Sequence, residues 1–155
     1  MVEPHRHSED QPRLIGALLR VPSDEVRRRV ALALSDVQPG LTFSHMPVFQ
    51  QIDHPPDGTR QTDLAARIGI SKQALGDLVD AMEGWGLVER ISDPDDRRAK
   101  FVRLTPAGWD VHELASEVVR GIEDEWAKLM GPSDFDELRR LLGILNARLA
   151  LDIHA

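Results

Sequence analysis

Residues 60–105 read RQTDLAARIGISKQALGDLVDAMEGWGLVERISDPDDRRAKFVRLT. This stretch contains two short helical patterns followed closely by two β-prone runs. The first helical pattern runs through Ile68, and Gly69 is a stop signal after it. Ser71 is placed to cap the second pattern, which extends to Gly86. The runs LVERI and KFVRLT are separated by the turn-forming SDPDDRRA and predict a β-hairpin. Two short helices joined by a tight turn, with a hairpin directly after them, predict a winged helix-turn-helix.

The second helix of this stretch has an apolar face and a polar face. Helical spacing turns four apolar side chains inward, namely Leu75, Leu78, Val79 and Met82. The same spacing turns five residues outward, namely Lys72, Gln73, Gly76, Asp77 and Asp80. The N-terminus of such a helix presents backbone N–H groups and a positive dipole end to phosphate. Its exposed face can enter the major groove of DNA.

Helical periodicity is also present upstream of the quoted stretch. Residues 1–12 are polar and contain two prolines, so we expect a disordered tail there and a single domain over residues 13–155. Apolar spacing from Leu14 onward predicts helix. Pro22 leaves two alternatives open: two helices, the second capped by Ser23, or one helix with a kink.

Three more helices complete the prediction. Residues 44–52 are expected to form a short helix. Thr105-Pro106 is a cap followed by proline at the first helical position and predicts the start of a long helix. Gly131-Pro132 breaks that helix, and Ser133 is expected to cap the last one. The predicted fold class is therefore mainly α (α+β), with a two-stranded β-wing.

Composition limits the function classes. With no cysteine, the chain has no disulfide and no thiolate metal site. No apolar run approaches the roughly 18 residues that a membrane span needs, so we expect a cytoplasmic protein with no membrane partner. The net charge of −7 argues against a protein that coats nucleic acid indiscriminately. Residues 60–105 carry eight basic and eight acidic side chains and are the least acidic third, which permits nucleic-acid binding there.

The stretch from residue 62 to residue 108 resembles the core of the MarR family of bacterial transcription regulators. GLVER followed by DPDDRR and VRLTPAG carries the resemblance. It implies an obligate homodimer with dimerisation helices in residues 13–43 and 106–155, and a winged helix-turn-helix DNA-binding lobe in residues 44–105. The implied partner is double-stranded DNA with a pseudo-palindromic operator, and the implied role is a repressor that a small molecule can release. No cofactor is expected.

The resemblance also implies a set of DNA-binding residues: Arg60, Gln61, Thr62, Ser71, Lys72, Gln73, Gly76, Asp96, Arg97, Arg98 and Lys100. At the wing tip, Arg98 is the residue expected to enter the minor groove, with Asp96 holding its guanidinium. Arg97 is expected to contact backbone phosphate or solvent. The alternative for this segment is a merely solvated turn.

The helix residues also have ordinary alternatives. Ser71 and Lys72 are either phosphate contacts or a cap beside a surface lysine. Gln73 can pair with adenine, although exposed glutamines are common. Asp77 and Asp80 carry carboxylates that repel phosphate, and three roles stay open for them. They accept a hydrogen bond from the N4 amino group of cytosine, they disfavour binding to incorrect DNA sequences, or they lie outside the major groove.

The resemblance further places an effector pocket where the dimerisation helices meet the winged head. Five residues are candidates for it, namely Phe43, His45, Met46, Trp109 and His112. They suit a small aromatic or carboxylate ligand, and the alternative is a filled core. The six histidines show no metal-ligand spacing, so no metal site is expected.

Two other function classes compete with the DNA-binding regulator. A winged-helix protein-interaction module without specific DNA binding is the alternative, since the chain is acidic overall. An enzyme is not expected, because the sequence has no Walker loop and no G-x-S-x-G motif.

Overall fold

The computed structural model describes residues 14–52, 58–92 and 100–153. Within these ranges the helices are α1 (Ile15–Val37), α2 (Met46–Gln51), α3 (Gln61–Ile68), α4 (Lys72–Gly84), α5 (Pro106–Met130) and α6 (Pro132–Ile153). The strands are β1 (Thr59–Arg60), β2 (Val88–Ser92) and β3 (Lys100–Leu104). A 3-10 turn, Phe43–His45, precedes α2. The mainly helical winged-helix architecture predicted from the sequence is confirmed.

Helix α1 is one continuous helix, so of the two alternatives that Pro22 leaves open, the one with two separate helices is excluded. Pro22 and Ser23 both lie inside the helix, so Ser23 does not start a second one. A proline inside a helix removes one backbone hydrogen bond and clashes with the carbonyl four residues earlier, but in α1 the helix continues past it. The second half of α1 packs against α5, where the Arg29 guanidinium donates to the Glu125 carboxylate at 2.7 Å.

One hydrophobic core joins α1 and α5 to the helix-turn-helix. It includes Val30 and Leu34 of α1, Leu64 of α3, and Val111 and Ala115 of α5. From α4 it receives Leu75, Val79 and Met82, which are fully buried, and Leu78, which is partly buried. The inward face predicted for α4 is therefore confirmed, and burial of this face fixes which side of α4 remains at the surface.

Over the described residues the sheet has three strands in the order β1-β3-β2, and both neighbouring pairs are antiparallel. The β2–β3 hairpin predicted from the sequence is confirmed, with Val88 opposite Leu104 and Ser92 opposite Lys100. The expectation of a two-stranded wing was incomplete, because the two-residue strand β1 pairs with β3. Such a short strand has no periodicity of its own. It is positioned by Gly58, where a Cβ would lie 2.5 Å from the carbonyl oxygen of Val102.

The two C-terminal helices begin at different signals. Thr105 caps α5, because its hydroxyl accepts from the N–H of Gly108 at 3.1 Å, as predicted. Helix α6 begins at Pro132, so the prediction that Ser133 caps it was wrong. Proline fits the first turn of a helix, where its missing N–H would have no partner. Ser133 therefore lies inside α6.

Large apolar side chains remain exposed at the two ends of the chain. On α1 they are Ile15, Leu18, Val21, Leu32 and Val37, and on α6 they are Leu138, Leu141, Ile144, Leu145 and Leu149. In the part of the chain that the structure describes, none of the helices combines the length and the apolar character that a membrane crossing requires.

Candidate nucleic-acid interface

Local hydrogen bonds fix the turn between α3 and α4. Gly69 has a φ of 77°, a left-handed conformation that glycine adopts without strain. The N–H groups of Gly69 and Ile70 both donate to the carbonyl of Ala65, at 3.0 and 3.1 Å. The Ser71 hydroxyl accepts from the N–H of Ala74 at 3.1 Å and caps α4. The predicted stop and cap are both confirmed.

The polar face of α4 lies at the surface. Ser71, Lys72, Gln73 and Asp77 are exposed, and Gly76 is half-buried. The N-terminal turn therefore presents an ammonium group, a side-chain amide and backbone N–H groups side by side. These are the donors that bind phosphate oxygens and base edges.

The start of α3 borders this face. The side-chain amide of Gln61 is the group nearest to Gly76, since a Cβ built on Gly76 would lie 3.9 Å from Gln61 Nε2. Thr62 is exposed, and its hydroxyl donates to the carboxylate of the next residue at 3.2 Å. Arg60 lies in β1, with its guanidinium 5.7 Å from the ring centroid of Phe101. The fold thus brings three of the candidate residues to the border of the α4 surface.

The wing residues are only partly described. Lys100 is exposed at the start of β3, and its Nζ donates to the Ser92 hydroxyl at 2.9 Å. This contact places an ammonium group at the base of the hairpin. Asp96, Arg97 and Arg98 lie outside the described residues.

Arg90 of β2 was not a candidate, and the structure places it against α4. Its guanidinium donates to Asp80 Oδ1 and to Glu83 Oε2, both at 2.5 Å. Burial alone would lower the pKa of Arg90, but the hydrogen bonds to Asp80 and Glu83 outweigh burial and raise that pKa. The carboxylate of Asp80, whose role the sequence leaves open, is therefore held by a cation. Sequence spacing gives no signal for this pairing, because it depends on how β2 folds back on α4.

A second feature is a cavity of about 350 Å³ between α1, α2 and α5. Its apolar lining consists of Val26, Val30, Phe43, Met46, Ala115 and Val119. Its polar lining consists of Gln50, His112, Ser116 and Arg120. Three of the five residues predicted for an effector pocket, Phe43, Met46 and His112, are thus brought together around one space.

The other two predicted pocket residues, His45 and Trp109, do not line the cavity. His45 is 7% exposed, its ring stands 5.2 Å from that of Trp85, and its Nδ1 accepts from the N–H of Thr42 at 3.1 Å. Trp109 stands against the ring of His112, with centroids 5.6 Å apart. Among the described residues, no group of three His, Asp or Glu side chains is arranged to hold a metal ion.

The polar lining from α5 includes two residues that the sequence reasoning missed. Ser116 and Arg120 follow His112 at intervals of four residues, so helical spacing from His112 would have indicated both. The Ser116 hydroxyl donates to the His112 carbonyl at 2.9 Å, and the Arg120 guanidinium pairs with Glu113. Arg120 therefore supplies a cationic group at the edge of a mostly apolar space.

Comparisons with known proteins agree with this architecture. A family model described as MarR family matches residues 40–99. The chain is similar to the transcriptional repressor CouR, solved bound to a 23-mer DNA duplex, with 29% identity, a TM-score of 0.70, and 86% of this chain and 92% of that one covered.

Two further solved structures are similar to this chain. A MarR-family transcriptional regulator from Rhodococcus sp. RHA1 has 27% identity and a TM-score of 0.67, with 90% of this chain and 94% of that one covered. FabT of Streptococcus pneumoniae, solved in complex with DNA, has 18% identity and a TM-score of 0.74, with 88% and 95% covered, and bears on the fold alone.

Proposed function

We propose that this chain, which a MarR family model matches over residues 40–99, is a transcription regulator of that family and acts as a homodimeric repressor that binds a pseudo-palindromic operator in double-stranded DNA. The observation that carries the proposal is the surface of α4. Its capped N-terminus, Lys72 and Gln73 stand exposed while its opposite face is buried in the core. A helix held in this way can enter a major groove as a rigid unit.

Each candidate residue on this surface has a role in the proposal. Ser71 and Lys72 bind backbone phosphate together with the N-terminal N–H groups of α4. Gln73 reads a base edge, with adenine as its natural partner because glutamine matches the N6 and N7 groups. Gln61 and Thr62, beside this face at the start of α3, contact the DNA backbone. Gly76 allows the DNA to approach the helix closely.

The wing completes the interface in this proposal. Lys100 contacts phosphate from the base of the hairpin, and Arg60 does so from the adjoining strand β1. Arg98 enters the minor groove, where narrowness enhances the negative potential. Asp96 orients the guanidinium of Arg98, and Arg97 contacts phosphate. The roles of the tip residues rest on the sequence motif DPDDRR.

The dimer is proposed to form through residues 13–43 and 106–155 of the domain 13–155. The exposed apolar side chains of α1 and α6 support this arrangement, because obligate interfaces resemble a core cut in half. A second copy of the chain would cover them. Two DNA-binding lobes related by a two-fold axis would then match a pseudo-palindromic site.

The cavity supports release by a small effector. A ligand with an aromatic or aliphatic body fits its apolar lining, and a carboxylate on that ligand can pair with Arg120. Because the cavity lies between α1 and α5 on one side and α2 on the other, an occupant can shift the DNA-binding lobe relative to the dimerisation helices. The protein is proposed to act in the cytoplasm.

Selection of binding sites from a pool of random duplexes with the purified protein tests the proposal. It predicts enrichment of one motif made of two inverted half-sites about one or two helical turns apart. The competing function, a winged-helix module that binds proteins, predicts no enriched motif. Failure to enrich any sequence at low salt, where phosphate contacts are strongest, would therefore contradict the proposal.

A further inference from the structure

Arg90 connects the β2–β3 hairpin to α4 through several groups at once. Its Nη2 donates to Asp80 Oδ1 at 2.5 Å and approaches the carbonyl of Gly76 at 3.5 Å. Its Nη1 donates to Glu83 Oε2 at 2.5 Å, and its backbone N–H donates to Glu83 Oε1 at 3.1 Å. Gly76, Asp80 and Glu83 are four and three residues apart, so one arginine holds two successive turns of one helix face.

The charges around Arg90 matter as much as the contacts. Its side chain is only 20% exposed, whereas those of Asp80 and Glu83 are 69% and 41% exposed. Without Arg90, both carboxylates would be unpaired next to the surface proposed to meet phosphate. Arg90 therefore pairs two acidic groups on α4 and holds their side chains on the hairpin side of the helix.

We propose that Arg90 is a positioning residue for operator recognition: it holds the β2–β3 hairpin on α4 so that the major-groove and minor-groove contacts are made in one register. This inference rests on the proposed DNA-binding function. Arg90 acts through Asp80 and Glu83 and does not itself contact DNA. Removal of the Arg90 side chain is expected to reduce the preference for operator over unrelated DNA more than it reduces the affinity for DNA in general.

The chain offers a matched control in the same hairpin. Arg103 of β3 donates to Glu89 of β2 at 2.7 Å, and this pair is 41% and 45% exposed. It is a pair of the same type that stays within the sheet and does not reach α4. Arg103→Gln removes a charge and an ion pair from the hairpin while leaving its attachment to the helix intact.

The experiment measures affinity of the full-length protein for the selected operator duplex and for an unrelated duplex of equal length at several salt concentrations. Arg90→Gln is expected to reduce the ratio of the two affinities by about tenfold or more, as the loss of charge-assisted hydrogen bonds implies. Asp80→Asn is expected to reduce the same ratio while leaving affinity for the unrelated duplex unchanged or tighter, since a negative charge is removed. Arg103→Gln is expected to leave the ratio unchanged.

Each other outcome has a definite meaning. An unchanged ratio for Arg90→Gln overturns the proposal. A parallel loss on both duplexes, with a salt slope smaller by about one, also overturns it, because Arg90 would then be a phosphate contact. If Arg90→Gln does not fold, Asp80→Asn decides: a reduced ratio supports the proposal and an unchanged ratio overturns it.

A readout that does not depend on DNA separates this inference from the proposed function. If the parent protein prefers no duplex, the proposed function has failed, and amide hydrogen exchange still tests the attachment. The positioning role is supported if the amides of β2 and β3 exchange faster in Arg90→Gln than in Arg103→Gln while the exchange rates in α5 stay the same. Equal exchange in the two variants overturns it.

Discussion

The imidazole of His45 stands edge-on to the indole of Trp85, with ring centroids 5.2 Å apart and planes at 61°. Trp85 directly follows the last residue of α4, and His45 ends the 3-10 turn. Phe43, two residues before His45, and Met46, directly after it, line the cavity. The wall of the cavity and the end of α4 are therefore connected through one aromatic pair.

Acid should destabilise the protein through His45. Burial lowers the pKa of His45 and outweighs a hydrogen bond with the Thr42 carbonyl oxygen that raises it. The unfolded chain takes up this proton near its ordinary value of 6.5, and the folded chain does so only at lower pH. The stability contribution is thus complete above that value and is lost as the pH falls through the interval below it, by at most about 1.4 kcal/mol per pH unit.

Urea unfolding of the parent and of His45→Gln between about pH 7 and about pH 5 measures this effect. The parent should lose more unfolding free energy than the variant over that range. Because all other titrating groups are common to both proteins, the difference belongs to His45. Equal losses in the two proteins would contradict this account of the buried imidazole.

Gly76→Ala should stabilise the fold and weaken DNA binding. Alanine is favoured over glycine in a helix interior by about 1 kcal/mol, and the added Cβ meets only Gln61 Nε2 at 3.9 Å. If Gly76 lies against DNA, the same methyl group obstructs close approach. The matched control is Gly121→Ala in α5, which has no neighbouring atom within 4 Å of the new Cβ.

Thermal unfolding and operator titration of both glycine variants give the answer. Both should unfold at higher temperature than the parent, and only Gly76→Ala should bind the operator more weakly. Unchanged operator affinity for Gly76→Ala would show that the glycine is not at the DNA surface.

The features that the sequence predicted correctly are those with local signals. The stop at Gly69 and the caps at Ser71 and Thr105 depend on backbone groups a few residues away, so a short window of sequence contains the whole interaction. The hairpin is predicted for the same reason, since its two strands and turn are contiguous.

Two of the features that the sequence did not predict depend on residues far apart in the chain. The third depends on which of two neighbouring helix-start signals is used. Strand β1 exists because β3 pairs with it across more than forty positions of sequence. The contact between Arg90 and Asp80 depends on the direction in which β2 leaves α4. Ser133 is a good cap by composition, but Pro132 already starts α6. Local patterns carry no information about the first two.

The dimer proposal predicts that a charge on the apolar face of α6 disrupts assembly. Leu145 is exposed in the single chain, and Leu145→Asp would place a carboxylate in the proposed interface, where it has no partner. Sedimentation at micromolar concentration should show a dimer for the parent and dissociated or unfolded chains for the variant. Asn146→Asp adds the same charge at the adjacent exposed position and should remain dimeric. A folded monomeric parent would contradict the proposal.

The wing-tip motif predicts an order of operator affinities among variants that differs from the order expected from net charge alone. Arg98→Ala should reduce operator affinity more than Arg97→Ala, because only the groove-inserted guanidinium depends on groove width. Arg98→Lys should not restore binding fully, since lysine lacks the planar fork that Asp96 can hold. Asp96→Ala should weaken binding although it removes a negative charge. Tighter operator binding by Asp96→Ala would show that the turn is a generic basic patch.

The central claim is that the exposed N-terminal end of α4 binds DNA. The most direct test is to titrate the parent and Lys72→Ala with duplex DNA at several salt concentrations. The parent should bind the selected operator with a log affinity that falls linearly with log salt concentration. Lys72→Ala should bind operator and unrelated duplex with nearly the same proportional loss, and its salt slope should be smaller by about one, because one phosphate contact is gone. An affinity independent of salt, or a Lys72→Ala slope equal to that of the parent, would contradict the claim.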